Sequence, residues 1–150
     1  MTIKASIRTS AYLIALGLLA SVSQAAPIIS QGYYEEFLSR NCFNASSCNV
    51  PFSAVPAGKT LIVTNVSCQL LTSGTNTAVH AASLTKVGGG GSTFLETSVL
   101  VTATTFRRFL SNTQVTKIYR AGESPSVSVS FTTTISTISM NCHISGSLKP

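Results

Sequence analysis

Aspartate and tryptophan are both missing from this chain, and charge is scarce, with 10 Lys and Arg against 4 acids in 150 residues. The lack of Asp argues against a Ca²⁺ loop, which draws its ligands from clustered carboxylates. The acids are Glu35, Glu36, Glu96 and Glu123. Glycosidase chemistry needs two carboxylates facing each other across a bond. Glu35 and Glu36 are neighbours, so on a strand they point to opposite faces. Glu96 and Glu123 stand apart, and Glu123 sits in a turn signal. Only His80 and His143 offer an imidazole base, and Gly-x-Ser-x-Gly does not occur. Ser145-Gly146-Ser147 lacks that flanking pattern, so a serine hydrolase triad has no recognisable nucleophile. There is no Cys-x-x-Cys and no His-x-x-x-His, the spacings a metal centre favours. Gly88-Gly89-Gly90-Gly91-Ser92 looks like a phosphate cradle only superficially. A P-loop ends in Lys-Ser/Thr and opens a helix, whereas Thr93-Phe94-Leu95 reads as a strand. No catalytic residue, cofactor or metal is expected.

A long apolar run is also missing, except near the start. Lys4 and Arg8 precede an apolar stretch from Ala11 to Val22, which ends at Ser23-Gln24-Ala25-Ala26-Pro27. A positive start, an apolar core and small residues form the secretory pattern. The core is shorter than the roughly 20 residues of a spanning helix. No Cys follows it, which argues against a lipoprotein. The expectation is a cleaved signal peptide over 1–25, with Ala26 first in the mature chain, and secretion or a periplasmic location. No later run is long enough to span a bilayer.

The expected mature part, 26–150, is a usual size for one domain. Losing Lys4 and Arg8 lowers the formal charge from +6 to +4. Ser, Thr, Val and Gly dominate, so hydroxyls and amides keep the chain soluble. β-Branched residues favour strands. All four cysteines, Cys42, Cys48, Cys68 and Cys142, fall in this part. An even set in an exported chain reads as two disulfides. Cys42 and Cys48 sit in a short polar segment that can close locally as a loop. Cys68 and Cys142 point inward from strand-like segments. The predicted pairs are Cys42 with Cys48 and Cys68 with Cys142. On chain-entropy grounds the long loop is worth roughly 4 kcal/mol and the short one about 2.

Alternation is the clearest pattern. Ile138, Met140, Cys142, Ile144, Gly146 and Leu148 share one face, while Ser139, Asn141, His143, Ser145 and Ser147 share the other. That is a half-buried strand. In Thr60 to Leu71, Ile62, Val66, Cys68 and Leu70 share a face, with Thr64 the exception. Val127, Val129 and Phe131 alternate with serines. Thr93 to Leu100, Thr102 to Leu110 and Gln114 to Arg120 are further strand candidates. Thr77 to Lys86 and Tyr33 to Leu38 are ambiguous between helix and strand. Turn signals lie at Val55-Pro56-Ala57-Gly58, Ser73 to Asn76, Gly88 to Ser92 and Ala121 to Pro125. The expected fold class is all-β: a single antiparallel β-sandwich, jelly-roll-like or Ig-like.

Two stretches together carry a resemblance. One is Val55-Pro56-Ala57-Gly58-Lys59-Thr60 leading to Cys68. The other runs from Tyr119-Arg120-Ala121-Gly122 to Cys142-His143-Ile144-Ser145-Gly146-Ser147-Leu148. The arrangement resembles small exported bacterial proteins of uncharacterised function, over about the last 100 residues. In those, a Pro-Ala-Gly-Lys turn opens a long strand and a Ser-Gly-Tyr-Leu-type strand comes last. Ser147 stands here where the aromatic is common. The resemblance implies a β-sandwich and a bacterial source, and no catalytic residue.

Arg107, Arg108, Lys117 and Arg120 fall on two strand candidates separated by Ser111-Asn112-Thr113. Paired as a hairpin, these strands would gather positive charge on one face near Tyr119. Such a patch suits an anionic polysaccharide or an envelope surface, and no nucleic-acid partner is expected. The first functional expectation is a non-catalytic binding or structural module of the cell envelope or extracellular space. The alternative is a carbohydrate-binding module, with Tyr33, Tyr34 and Tyr119 as platforms and the Phe residues committed to the core. A hydrolase with an unorthodox site comes last.

Overall fold

Strands with one apolar face must bury it against another layer, and two very long strands supply both layers here. The computed structural model describes residues 26–74 and 77–150. The expected signal segment, 1–25, lies outside the described residues. The strands are β1 (Ile28–Ser30), β2 (Tyr33–Pro51), β3 (Thr60–Ser73), β4 (Val79–Lys86), β5 (Thr93–Phe94), β6 (Ser98–Thr102), β7 (Phe106–Arg120) and β8 (Pro125–Lys149). All pairings are antiparallel. The order is β1-β2-β8-β3-β7-β6, with β4 joined to β5 and β8. Both ambiguous segments, around Tyr33 and around Ala81, are strands.

The 25 residues of β8 are too many for one layer. Its second half pairs with β3, its first half pairs with β4, and β2 follows it through both halves. The sheet therefore folds over itself into a single antiparallel β-sandwich, with β1 and β6 at its edges. β7 lies over β4. Tyr119 Oη donates to the Thr85 carbonyl at 2.7 Å, and Lys117 Nζ donates to the Leu84 carbonyl at 2.7 Å. One continuous core of buried side chains fills the space between the layers, from Tyr34 and Leu38 to Leu84, Tyr119 and Met140.

Both disulfides form as predicted. Cys68 and Cys142 are direct cross-strand partners in the centre of the sheet. The other pair corrects the expected loop: Cys42 and Cys48 both belong to β2. Six extended residues would separate them by roughly 20 Å, yet their Cα atoms are 5.8 Å apart. The chain turns sharply between them. Asn44 adopts a positive φ there, the register with β8 shifts between Ala45 and Ser47, and the disulfide clamps the corner. Disulfides of this kind mark an oxidising environment. No helix among the described residues is long and apolar enough to cross a membrane.

Three other expectations change. Ser111-Asn112-Thr113 is not a turn, because β7 runs unbroken from Phe106 to Arg120 along β3. The break comes earlier, between β6 and β7 at 103–105. Ile62 does not share a face with Cys68. A register shift between Val63 and Asn65 puts Leu61 and Val63 inside, and then Val66, Cys68 and Leu70. Finally, Val127 to Phe131 and Ile138 to Leu148 are two halves of one strand.

Candidate functional site

The outer face of the layer containing β2, β8, β3 and β7 is built from the polar half of each alternation. The register aligns these residues in rungs. Phe37, His143, Ser67 and Asn112 form one; Ser39, Asn141, Gln69 and Leu110 form the next. On the other side of the first rung stand Glu35, Ser145, Asn65 and Gln114.

Hydrogen bonds hold part of this surface in place. His143 Nε2 lies 2.7 Å from Glu35 Oε1. Ser39 Oγ donates to Asn141 Oδ1 at 2.7 Å, and Asn65 Nδ2 donates to Asn112 Oδ1 at 3.1 Å. A shallow hollow of about 460 Å³ opens here, lined by Phe37, Ser67, Gln69, Leu110, Asn141 and His143. Phe37 is 53% exposed beside it, and Tyr33, four residues back on the same face, is 48% exposed. The arrangement offers flat apolar rings next to amide and hydroxyl groups.

Ser67, His143 and Glu35 have the composition of a hydrolytic triad. The geometry lacks what acyl transfer needs. Ser67 makes no hydrogen bond to the His143 ring, and β3 is paired on both sides, so its backbone N–H groups are held in ladders. No free donor pair remains there for an oxyanion.

The expected basic patch is not gathered on one face. Because β7 is one strand, Arg107 and Arg120 stand roughly 40 Å apart along it. Arg107 and Arg108 point to opposite faces. Arg107 Nη1 donates to the Thr77 carbonyl at 2.5 Å, and Lys117 Nζ is held by the carbonyls of Leu84 and Gly91. Burial, with Lys86 nearby, lowers the Lys117 pKa. The Arg120 backbone N–H donates to Glu123, and Lys86 pairs with the same carboxylate at 3.0 Å. Those two contacts hold the Glu123 carboxyl below its ordinary pKa.

Two of the three expected tyrosine platforms are also lost. Tyr34 and Tyr119 are 1% and 0% exposed. Each phenol has a partner inside, Glu36 for Tyr34 and the Thr85 carbonyl for Tyr119. Phe37, assigned from sequence to the core, is the exposed ring instead. The Glu35–His143 pair was also missed, because it joins residues 108 apart through the β2–β8 register. The one available clue was that both residues fall on the polar side of an alternation. Among the described residues, no group of three or more His, Cys, Asp or Glu is placed to hold a metal ion. No protein-family model matches the chain, and no curated protein matches it.

Proposed function

We propose that the chain is an exported, non-catalytic binding module of the cell envelope or extracellular space, and that it binds through the outer face around Phe37. The observation that carries this reading is a half-exposed phenylalanine beside the amides of Asn141 and Gln69, over a hollow no other side chain fills. The charge–apolar–small order of residues 1–25 and the two disulfides support export. The resemblance to small exported bacterial β-sandwich proteins supports the same compartment. N-terminal sequencing of the protein from its native host is expected to begin at Ala26. A chain beginning at Met1 would remove export by cleavage.

The ligand class that fits is a neutral saccharide. Its apolar ring face suits an aromatic surface, and its hydroxyls suit Asn, Gln and Ser. Tyr33 and Phe37 are about 13 Å apart along β2, a span that a short oligosaccharide bridges and a monosaccharide does not. On a glycan array the protein is expected to retain neutral oligosaccharides. Phe37→Ala should weaken retention about tenfold or more, as expected when an aromatic ring that the ligand covers is removed. No retention of any neutral glycan would leave a structural role in place of saccharide binding. Turnover of an ester, peptide or glycoside that His143→Ala abolishes would overturn the non-catalytic reading.

A further inference from the structure

The second layer carries a different hollow. Its floor is the outer side of β2, β8 and β4, where Asn49, Ser126 and Ser128 stand between the buried Val50, Val127 and Val129. The volume is about 470 Å³. On one side stands Arg40, brought against the far half of its own strand by the Cys42–Cys48 corner. On the other side runs the glycine loop after β4, which reads as a bare loop tip in the sequence.

Three features make this hollow a place for an anion. First, the exposed Arg40 forms no ion pair among the described residues, so its planar set of donors is available. Second, no carboxylate lines the hollow, and Glu123 nearby is held by Lys86 and by the Arg120 N–H. Third, the loop is built to leave space while staying in place. Gly88, Gly89 and Gly90 have φ of +85°, +100° and +129°, and a Cβ added to Gly88 or Gly89 would meet nothing within 4 Å. The loop is anchored at both ends. The Val87 N–H donates to the Ser124 carbonyl at 2.9 Å, and Lys117 holds the Gly91 carbonyl.

We propose that this hollow is a second binding site, which takes an oxyanion carried on a hydroxyl-rich chain, as in a carboxylated or sulfated saccharide. Arg40 grips the oxyanion with its paired N–H groups. Asn49 and Ser128 meet the hydroxyls, with the buried Ser126 beneath them. The site lies on the other layer from Phe37 and does not depend on the saccharide reading given for that face.

The test is calorimetric titration of the disulfide-intact protein with an oligogalacturonate, a sulfated oligosaccharide and a neutral oligosaccharide of matched length, at low and at physiological salt. At least one acidic ligand is expected to bind more tightly than the neutral one, and the arm that does so identifies the carboxylate or the sulfate. Arg40→Gln should weaken that affinity about tenfold or more, the size of a lost charge-assisted hydrogen bond, and Ser128→Ala should weaken it less. Lys59→Gln, an equal change of charge on a turn outside the hollow, should leave it unchanged. Equal affinity for all three ligands, no binding of any, or an equal loss in Lys59→Gln would overturn the proposal. Loss in Phe37→Ala with none in Arg40→Gln would place acidic ligands on the other face and overturn it too.

Discussion

A Cβ built on Gly146 lands 2.0 Å from the Ile62 carbonyl oxygen and 2.9 Å from the Val63 Cα. Backbone cannot yield as a side chain can, so β3 would have to move off β8 at the register shift beside Val63. Gly146→Ala is expected to lower stability by about 3 kcal/mol, as overpacking does, seen as a fall in urea midpoint at constant slope. Glu36 makes a complementary case. It is buried, and its carboxylate accepts from Tyr34 Oη at 2.5 Å, the Ser53 N–H at 3.0 Å and Ser53 Oγ at 2.8 Å. Removing it strands a buried phenol and a backbone donor. Glu36→Ala should cost on the order of 3 kcal/mol, and Glu36→Gln, which still accepts, clearly less. That Glu35 and Glu36 face opposite ways was legible from strand alternation. Their partners, His143 and Ser53, were not, because each depends on tertiary placement.

At the scale of elements, alternation reported which segments are extended and which side is buried, as in Ile138 to Leu148. It did not report where a strand ends. Ser111-Asn112-Thr113 has turn chemistry, but its place opposite Cys68, Ser67 and Val66 overrides that preference. Ser111 fits into the core, and Asn112 finds the Asn65 amide across the strands. The basic patch failed for this reason, since a hairpin read into one straight strand gathered residues that the strand spreads apart. The Cys42–Cys48 corner escaped notice in the opposite sense, as a polar segment with two cysteines reads as a loop whether or not β8 pairs with it. Its consequence is local. Cys42→Ser with Cys48→Ser should cost about 2 kcal/mol. Hydrogen exchange should rise first in residues 43–47 and in the facing part of β8, 130–135. The Cys68–Cys142 double substitution opens a far longer loop between central strands. It should cost roughly 4 kcal/mol and raise exchange across the whole sheet.

The whole molecule has few charges, so its response to pH rests on a few groups whose sign can be worked out. Tyr34 and Tyr119 are buried, and burial first, then the hydrogen bond to Glu36 and its charge for Tyr34 and the charge of Glu123 for Tyr119, pushes both phenols far above their ordinary pKa. A raised folded value means that stability is fully present below the unfolded pKa, about 10 for tyrosine, and is lost as pH rises beyond it. Lys117 acts the other way: its lowered pKa adds stability as pH climbs toward the ordinary lysine value. The net fall therefore sets in near about pH 10, where two phenols ionising in the unfolded chain outweigh the one lysine. Beyond that point two phenols ionise in the unfolded chain and stay neutral in the folded one, a slope of about 3 kcal/mol per pH unit. Tyr119→Phe removes one of the two and should roughly halve the slope. Glu123 sets the acid side, because its lowered pKa contributes stability above the unfolded carboxylate value that is lost as pH falls through the folded one. Urea titrations at a series of pH values, with phenolate absorbance followed in parallel, check both limbs. The expected record is that Tyr34 and Tyr119 ionise only as the sandwich unfolds. Phenolate absorbance from those two rings in a chain still fully folded would show that the two layers open at high pH without coming apart.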